Sequence, residues 1–245
     1  MISRFPDKFV FAFLVLFPVL VQAALPAVDP SVRYMSLGDS LAAGYKAQPA
    51  TKGFAYQLYL NQVFGRTPDT AFDNAAVPRA KSSDVLNFQI PQVALFDPTV
   101  VTISVGGNDL LTLLIPQDPM PDPNAVLGAF AVNLGKILTN LCDGMPQFGE
   151  IYLNNLYTIP EIPDADLIVP FFNMTMDNVV AGVKMIPACA DKKIAIADVY
   201  NAFLGQHGLL LIERYRKRGI DVIEVHPTNK GHRVMENAYR AVIGR

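Results

Sequence analysis

From residue 33 onward the chain alternates short apolar runs with longer amphipathic stretches, the pattern of a parallel sheet flanked by helices. Arg33 to Leu37 is a short β-rich run ending at Gly38. Thr70 to Ala75 predicts a weaker second strand. Val100 to Val105 is the strongest, β-branched and bounded by Pro98 and Gly106. Glu150 to Leu156 and Lys193 to Val199 supply two more. Between them, Phe54 to Phe64 sets Phe54, Leu58 and Val63 at helical spacing. Ala125 to Leu141 brings Val126, Phe130, Leu134, Ile137, Leu138 and Leu141 onto one helical face. Arg233 to Ile243 predicts a closing helix.

Two proline-rich stretches interrupt this rhythm and predict loops. Leu110 to Asn124 carries Pro116, Pro119, Pro121 and Pro123, and Thr158 to Phe171 carries Pro160, Pro163 and Pro170. Each follows a predicted strand and so belongs at the carboxyl edge of the sheet, where such folds bind ligands. Leu113, Leu114, Ile115 and Met120 in the first, and Ile162, Leu167, Ile168 and Phe171 in the second, either cap the core or line a pocket.

Composition narrows the classes. With 245 residues, 51% of them hydrophobic and 17% charged, the chain can build one large core and is not a disordered segment. A net charge of −2 with no basic block gives no nucleic-acid footprint. No repeat, zinc-binding His-Glu-x-x-His, phosphate-binding loop or dinucleotide fingerprint occurs, and two distant cysteines with three scattered histidines make a poor metal site. No cofactor, metal or protein partner is implied.

Residues 1–23 read as a secretory signal. Arg4 and Lys8 precede an apolar run from Phe9 to Val21, bent at Pro18, and Val21-Gln22-Ala23 suits cleavage after Ala23. The run is shorter than the roughly 20 apolar residues of a spanning helix, so no stable membrane anchor is expected. The folded domain is expected over 30–245, in the periplasm or outside the cell. In an oxidising compartment Cys142 and Cys189, the only cysteines, are expected to pair.

Ser40, Asn108 and His226 are residue types that can serve as nucleophile, oxyanion donor and general base. Ser40 sits just past the first strand, in Gly38-Asp39-Ser40-Leu41, where its hydroxyl would reach the ligand edge of the sheet. Asp39 is expected to hydrogen-bond within that turn. The segment is not the nucleophile elbow of α/β-hydrolases, because Ala42 stands where that motif has glycine. Asn108 follows the strongest strand, in Gly106-Gly107-Asn108-Asp109. Of the histidines, His207 is expected in a surface loop and His232 at the start of the last helix.

The string Tyr34-Met35-Ser36-Leu37-Gly38-Asp39-Ser40-Leu41-Ala42-Ala43-Gly44-Tyr45 and the Gly-Gly-Asn-Asp resemble the GDSL, or SGNH, hydrolases. That family contains esterases, lipases and related acyl hydrolases. The stretches Asn74 to Ser82 and Glu224 to His232 look like its second and last blocks, so the resemblance spans Arg33 to Ile243. It implies a three-layer α/β/α sandwich, flavodoxin-like, around a parallel sheet of about five strands. It also implies a serine hydrolase acting through an acyl-enzyme on a small-molecule or lipid ester. Ser40 would attack, His226 would take its proton, and Asn108 with the backbone N–H groups of Ser40 and Arg79 would hold the oxyanion.

Two positions depart from the family pattern. Arg79 stands where a glycine usually offers its N–H, and Ile223 where an aspartate usually orients the histidine. Glu224 is the nearest substitute for that aspartate, with Asp221, Asp198 or a backbone carbonyl as alternatives. The apolar loops lead us to expect carboxyl esters of short to medium chain. Other readings are a catalytically impaired binding protein of the same fold, a polysaccharide O-deacetylase, and an acyltransferase using the same residues.

Overall fold

A computed structural model describes residues 31–115, 118–159, 162–206, 214–217, 220–223 and 225–244. The expected signal segment, His207 and Glu224 therefore lie outside the described residues. Five parallel strands form the central sheet in the order β2-β1-β3-β4-β5. They are β1 (Arg33–Gly38), β2 (Ala71–Asn74), β3 (Val100–Ser104), β4 (Glu150–Asn154) and β5 (Lys193–Ala197). The order reverses at β1, so the carboxyl ends of β1 and β3 flank the crevice where open α/β sheets place their ligands.

Alternation along the strands sorts side chains to two cores. Met35, Leu37, Val101, Ile103, Ile151 and Leu153 face one layer, built on α3 (Ile90–Phe96), α5 (Pro123–Gly144) and α6 (Ala165–Val183). Tyr34, Val100 and Tyr152 face the other, built on α1 (Phe54–Leu60), α7 (Val199–Phe203) and α8 (Asn229–Ile243). This is the expected three-layer sandwich with a five-stranded parallel sheet. The second layer accepts polar strand residues because each finds a partner: Tyr34 Oη lies 2.7 Å from Thr102 Oγ1, and Tyr239 Oη donates to Asn154 Oδ1 at 3.0 Å.

Several elements differ from the sequence expectation. The first proline-rich stretch opens with α4 (Gly107–Leu114), and α5 starts at Pro123. Pro123 occupies the first helical position, where a missing N–H costs nothing, and Asp122 caps the helix by accepting from Asn124 N at 3.0 Å. In the second stretch α6 runs from Ala165 straight through Pro170. Its buried stripe of Val169, Phe172, Met176 and Val180 outweighs the backbone bond that the proline removes. Residues 82–96, for which the pattern gave no element, form α2 (Ser82–Asp84), a π-helical turn (Val85–Gln89) and α3. The backbone just before His226 forms an antiparallel hairpin of β6 (Arg214–Lys217) and β7 (Ile220–Ile223), pairing Arg214 with Ile223.

Cys142, near the end of α5, is disulfide-bonded to Cys189, ahead of β5.

Candidate active site

β1 ends at Gly38, whose φ of +125° turns the chain sharply out of the sheet. A side chain there is impossible: a Cβ would lie 2.0 Å from the Ser104 carbonyl oxygen. Gln89, buried in the π-helical turn, locks the corner from below. It accepts from Gly38 N at 2.7 Å and donates to Gly38 O at 2.8 Å, imitating a paired strand. Asp39 Oδ1 then accepts from Leu41 N at 3.0 Å and from Ser104 Oγ at 3.1 Å, which fixes the turn that presents Ser40. Burial raises the Asp39 carboxyl to about 7, and the nearby charge of Asp109 adds to the effect.

A second glycine corner follows β3. Gly106 has φ +102°, and a Cβ there would press on the Phe130 ring at 2.8 Å. The turn starts α4 and sets Asn108 in its first turn, where unpaired N–H groups bias the field toward negative charge. Asp109, buried beside it, accepts from Ser82 Oγ at 2.6 Å and from Ser82 N at 2.9 Å. Asn133 of α5 donates to the same hydroxyl at 3.0 Å. This chain fastens the Gly-Gly-Asn-Asp turn to the segment that carries Arg79. Asn108 Nδ2 spends one hydrogen on Ala80 O at 3.0 Å, which orients the amide and leaves its second hydrogen for another acceptor.

Arg79 has φ +74°. The position expected to hold glycine keeps the left-handed backbone of a glycine while carrying an arginine. Ahead of it, Asn74 Oδ1 accepts from Ala76 N at 3.1 Å and Asn74 Nδ2 donates to Ala42 O at 2.9 Å, tying this loop to the serine turn. Among the described residues no acceptor takes the N–H of Ser40 or of Arg79.

His226 reaches this place from the far end of the chain. Its Nε2 lies 2.7 Å from Ser40 Oγ. Ser40 donates in that pair when the neutral ring carries its proton on Nδ1. Three contacts invisible to sequence reasoning hold the His226 segment. Tyr157 Oη donates to Val225 O at 2.5 Å. The Tyr45 ring meets the imidazole edge-on at 4.8 Å between centroids. Asn229 accepts from Gln48 N at 2.8 Å and donates to Gln48 O at 2.7 Å, joining the histidine loop to the serine block. None of these partners is spaced in the sequence in a way that pairs it with its target.

Of the other expected orienting groups, Asp198 has a different occupation. It caps α7 through Asn201 N at 3.1 Å and accepts from Asn155 Nδ2 at 3.0 Å. These hydrogen bonds to the charged form outweigh partial burial and hold its carboxyl below the usual range. Asp221 and Ile223 lie on β7. His232 lies inside α8 rather than at its first residue; it is fully buried and accepts weakly from Phe54 N at 3.4 Å. Burial lowers its imidazole to about 4, with the His226 charge acting in the same direction.

Ser40, Arg79, Asn108 and His226 all line one cavity of about 490 Å³. Its walls are apolar: Leu110, Leu111, Leu114 and Ile115 from the first proline-rich stretch, Ile159 and Val169 from the second, and Leu156 just ahead of it. Leu113, Ile162 and Ile168 instead pack against the cores, while Met120, Leu167 and Phe171 stay exposed.

Residues 36–234 match the family model of the GDSL-like lipase/acylhydrolases. The chain belongs to the GDSL-like lipase/acylhydrolase family. Solved structures share the fold of this GDSL-like hydrolase at low identity. A lipase from a goat rumen metagenome is 22% identical with a TM-score of 0.60, covering 86% of this chain and 97% of that one. Axe2, an acetylxylan esterase from Geobacillus stearothermophilus, is 15% identical with a TM-score of 0.61, covering 86% and 94%. Phospholipase A1 from Streptomyces albidoflavus is 18% identical with a TM-score of 0.58, covering 86% and 97%. No curated protein matches by sequence. The three neighbours have different substrates, so the fold of a GDSL-like hydrolase leaves the ester to be read from the cavity.

Proposed function

We propose that this GDSL-like hydrolase is a secreted serine esterase or lipase that works through an acyl-enzyme on esters with short to medium apolar acyl chains. The 2.7 Å approach of His226 Nε2 to Ser40 Oγ at an apolar cavity carries the reading. The imidazole takes the hydroxyl proton as the oxygen bonds to the acyl carbon, then returns it to the departing alcohol. Charge on the former carbonyl oxygen falls to the free Asn108 hydrogen and to the N–H groups of Ser40 and Arg79. Water, activated by the same imidazole, releases the acid and restores Ser40. The left-handed backbone at Arg79 supports the third donor despite the loss of glycine. The leader-like residues 1–23 support export.

The test uses purified mature protein with p-nitrophenyl acetate, butyrate and octanoate, beside Ser40→Ala and Asn108→Ala. Hydrolysis lost in the first and reduced by about 10²–10³ in the second is expected. Equal, folded inertness of all three proteins would instead favour a binding protein of this fold.

A further inference from the structure

The active-site cavity is mostly apolar; besides Ser40, Asn108 and His226, its polar lining is Asp39, Thr112, Tyr157 and two cations, Arg79 and Lys81. Both side chains are exposed, and no carboxylate among the described residues forms an ion pair with either. Arg79 also lines a second cavity of about 440 Å³, walled by Val77, Pro78 and Phe88. Arg79 is thus shared by two hollows, on a backbone with φ +74°.

Two carboxylates face the same region, and neither cancels these charges by contact. Asp39 is buried, with Oδ1 engaged by Leu41 N and Ser104 Oγ. Asp84, in the second cavity, accepts from the backbone N–H of Lys81 at 2.9 Å. A neutral aliphatic ester gives the two cations nothing to bind. An ester with an anionic group outside the apolar cavity would meet both, and a guanidinium binds phosphate or carboxylate in bidentate fashion.

We propose that Arg79 and Lys81 form an anion subsite that makes amphiphilic esters the preferred substrates, with the apolar acyl chain in the Ser40 cavity and a phosphate or carboxylate over the cation pair. The proposal rests on the esterase reading above and names its substrate class. It also gives the arginine at the glycine position a role beyond its N–H.

Three substrates with one acyl chain test it: 1-hexanoylglycerol, its 3-phosphate, and the hexanoyl ester of glyceric acid. The value read is the ratio of kcat/KM, anionic over neutral ester, within each protein, which cancels damage to shared machinery. In the native protein a ratio near tenfold is expected at low salt, falling as ionic strength rises. Arg79→Gln and Lys81→Gln should each lower it, and the double variant should bring it to about one. A larger ratio for phosphate than for carboxylate assigns the subsite to lipid-type headgroups, and the reverse assigns it to acidic sugars or hydroxy acids. A native ratio near one, or a ratio that the substitutions leave unchanged, overturns the proposal. Binding separates it from the esterase reading. In Ser40→Ala, decyl phosphate should raise the Tm more than decanol, and the double charge variant should erase that difference. If no ester is cleaved but this binding pattern holds, the esterase reading fails and the subsite stands.

Discussion

Arg79 offers a sharp test because the sign of a routine substitution should invert there. A non-glycine residue in the left-handed region costs about 1–2 kcal/mol relative to the right-handed one. Glycine escapes that cost but loses more chain entropy on folding, about 0.4–1 kcal/mol. At φ +74° the difference favours glycine by about 0.5–1 kcal/mol. In an ordinary helix interior the same change from alanine to glycine costs about 1 kcal/mol. The measurement compares Arg79→Gly with Arg79→Ala, since both remove the exposed guanidinium and differ only at the backbone. Urea unfolding should place Arg79→Gly above Arg79→Ala by about 0.5–1 kcal/mol with unchanged m, or about 1–4 °C in Tm for a domain of this size. Arg79→Ala should fall within about 0.5 kcal/mol of the native protein, as other exposed changes do. Both variants retain the N–H, so neither should show the 10²–10³-fold loss that follows removal of an oxyanion donor. If Arg79→Gly proved less stable than Arg79→Ala by about 1 kcal/mol, the left-handed assignment and the donor argument built on it would be wrong.

Tyr157→Phe removes the hydroxyl that pins Val225 O while leaving the ring against Phe203. A loss of about 1 kcal/mol in positioning should lower kcat about fivefold with KM nearly unchanged; an equal rise in KM would refute the positioning role. The disulfide closes a 47-residue separation, so Cys142→Ala with Cys189→Ala should cost up to about 4 kcal/mol, read by denaturant midpoint. Unaltered midpoints with and without reductant would show that the link contributes nothing. His232 and Asp39 should oppose each other in acid. Neutral His232, lowered to about 4, contributes stability that is lost as pH falls below about 6.5, whereas Asp39, raised to about 7, loses stability as pH rises through the same range. Asp39→Asn removes one side of the balance and should make unfolding between pH 6.5 and 4 steeper than in the native protein; an unchanged slope would contradict it.

The five strands were legible in the chain because a parallel sheet buried on both faces needs continuous apolar, β-branched runs, and Val100 to Ser104 is a clear example. α5 and α8 were legible because each presents one apolar stripe over several turns. Ser40, Asn108 and His226 were chosen from residue type, local context and the resemblance of their segments to the family's blocks, and the fold brings all three to one cavity. α6 was misread because local proline chemistry outvotes periodicity in a short window, whereas burial of Val169, Phe172, Met176 and Val180 decides the folded state. The Gln89 clasp on Gly38, the Asp109–Ser82–Asn133 chain and the Gln48–Asn229 pair had no local signature. A buried polar group is satisfied by whatever the topology sets beside it, and those partners lie tens to more than a hundred residues away. Even the φ of Arg79 belongs to that class: an arginine prefers other backbone regions by itself, and the packed loop around it imposes the left-handed one.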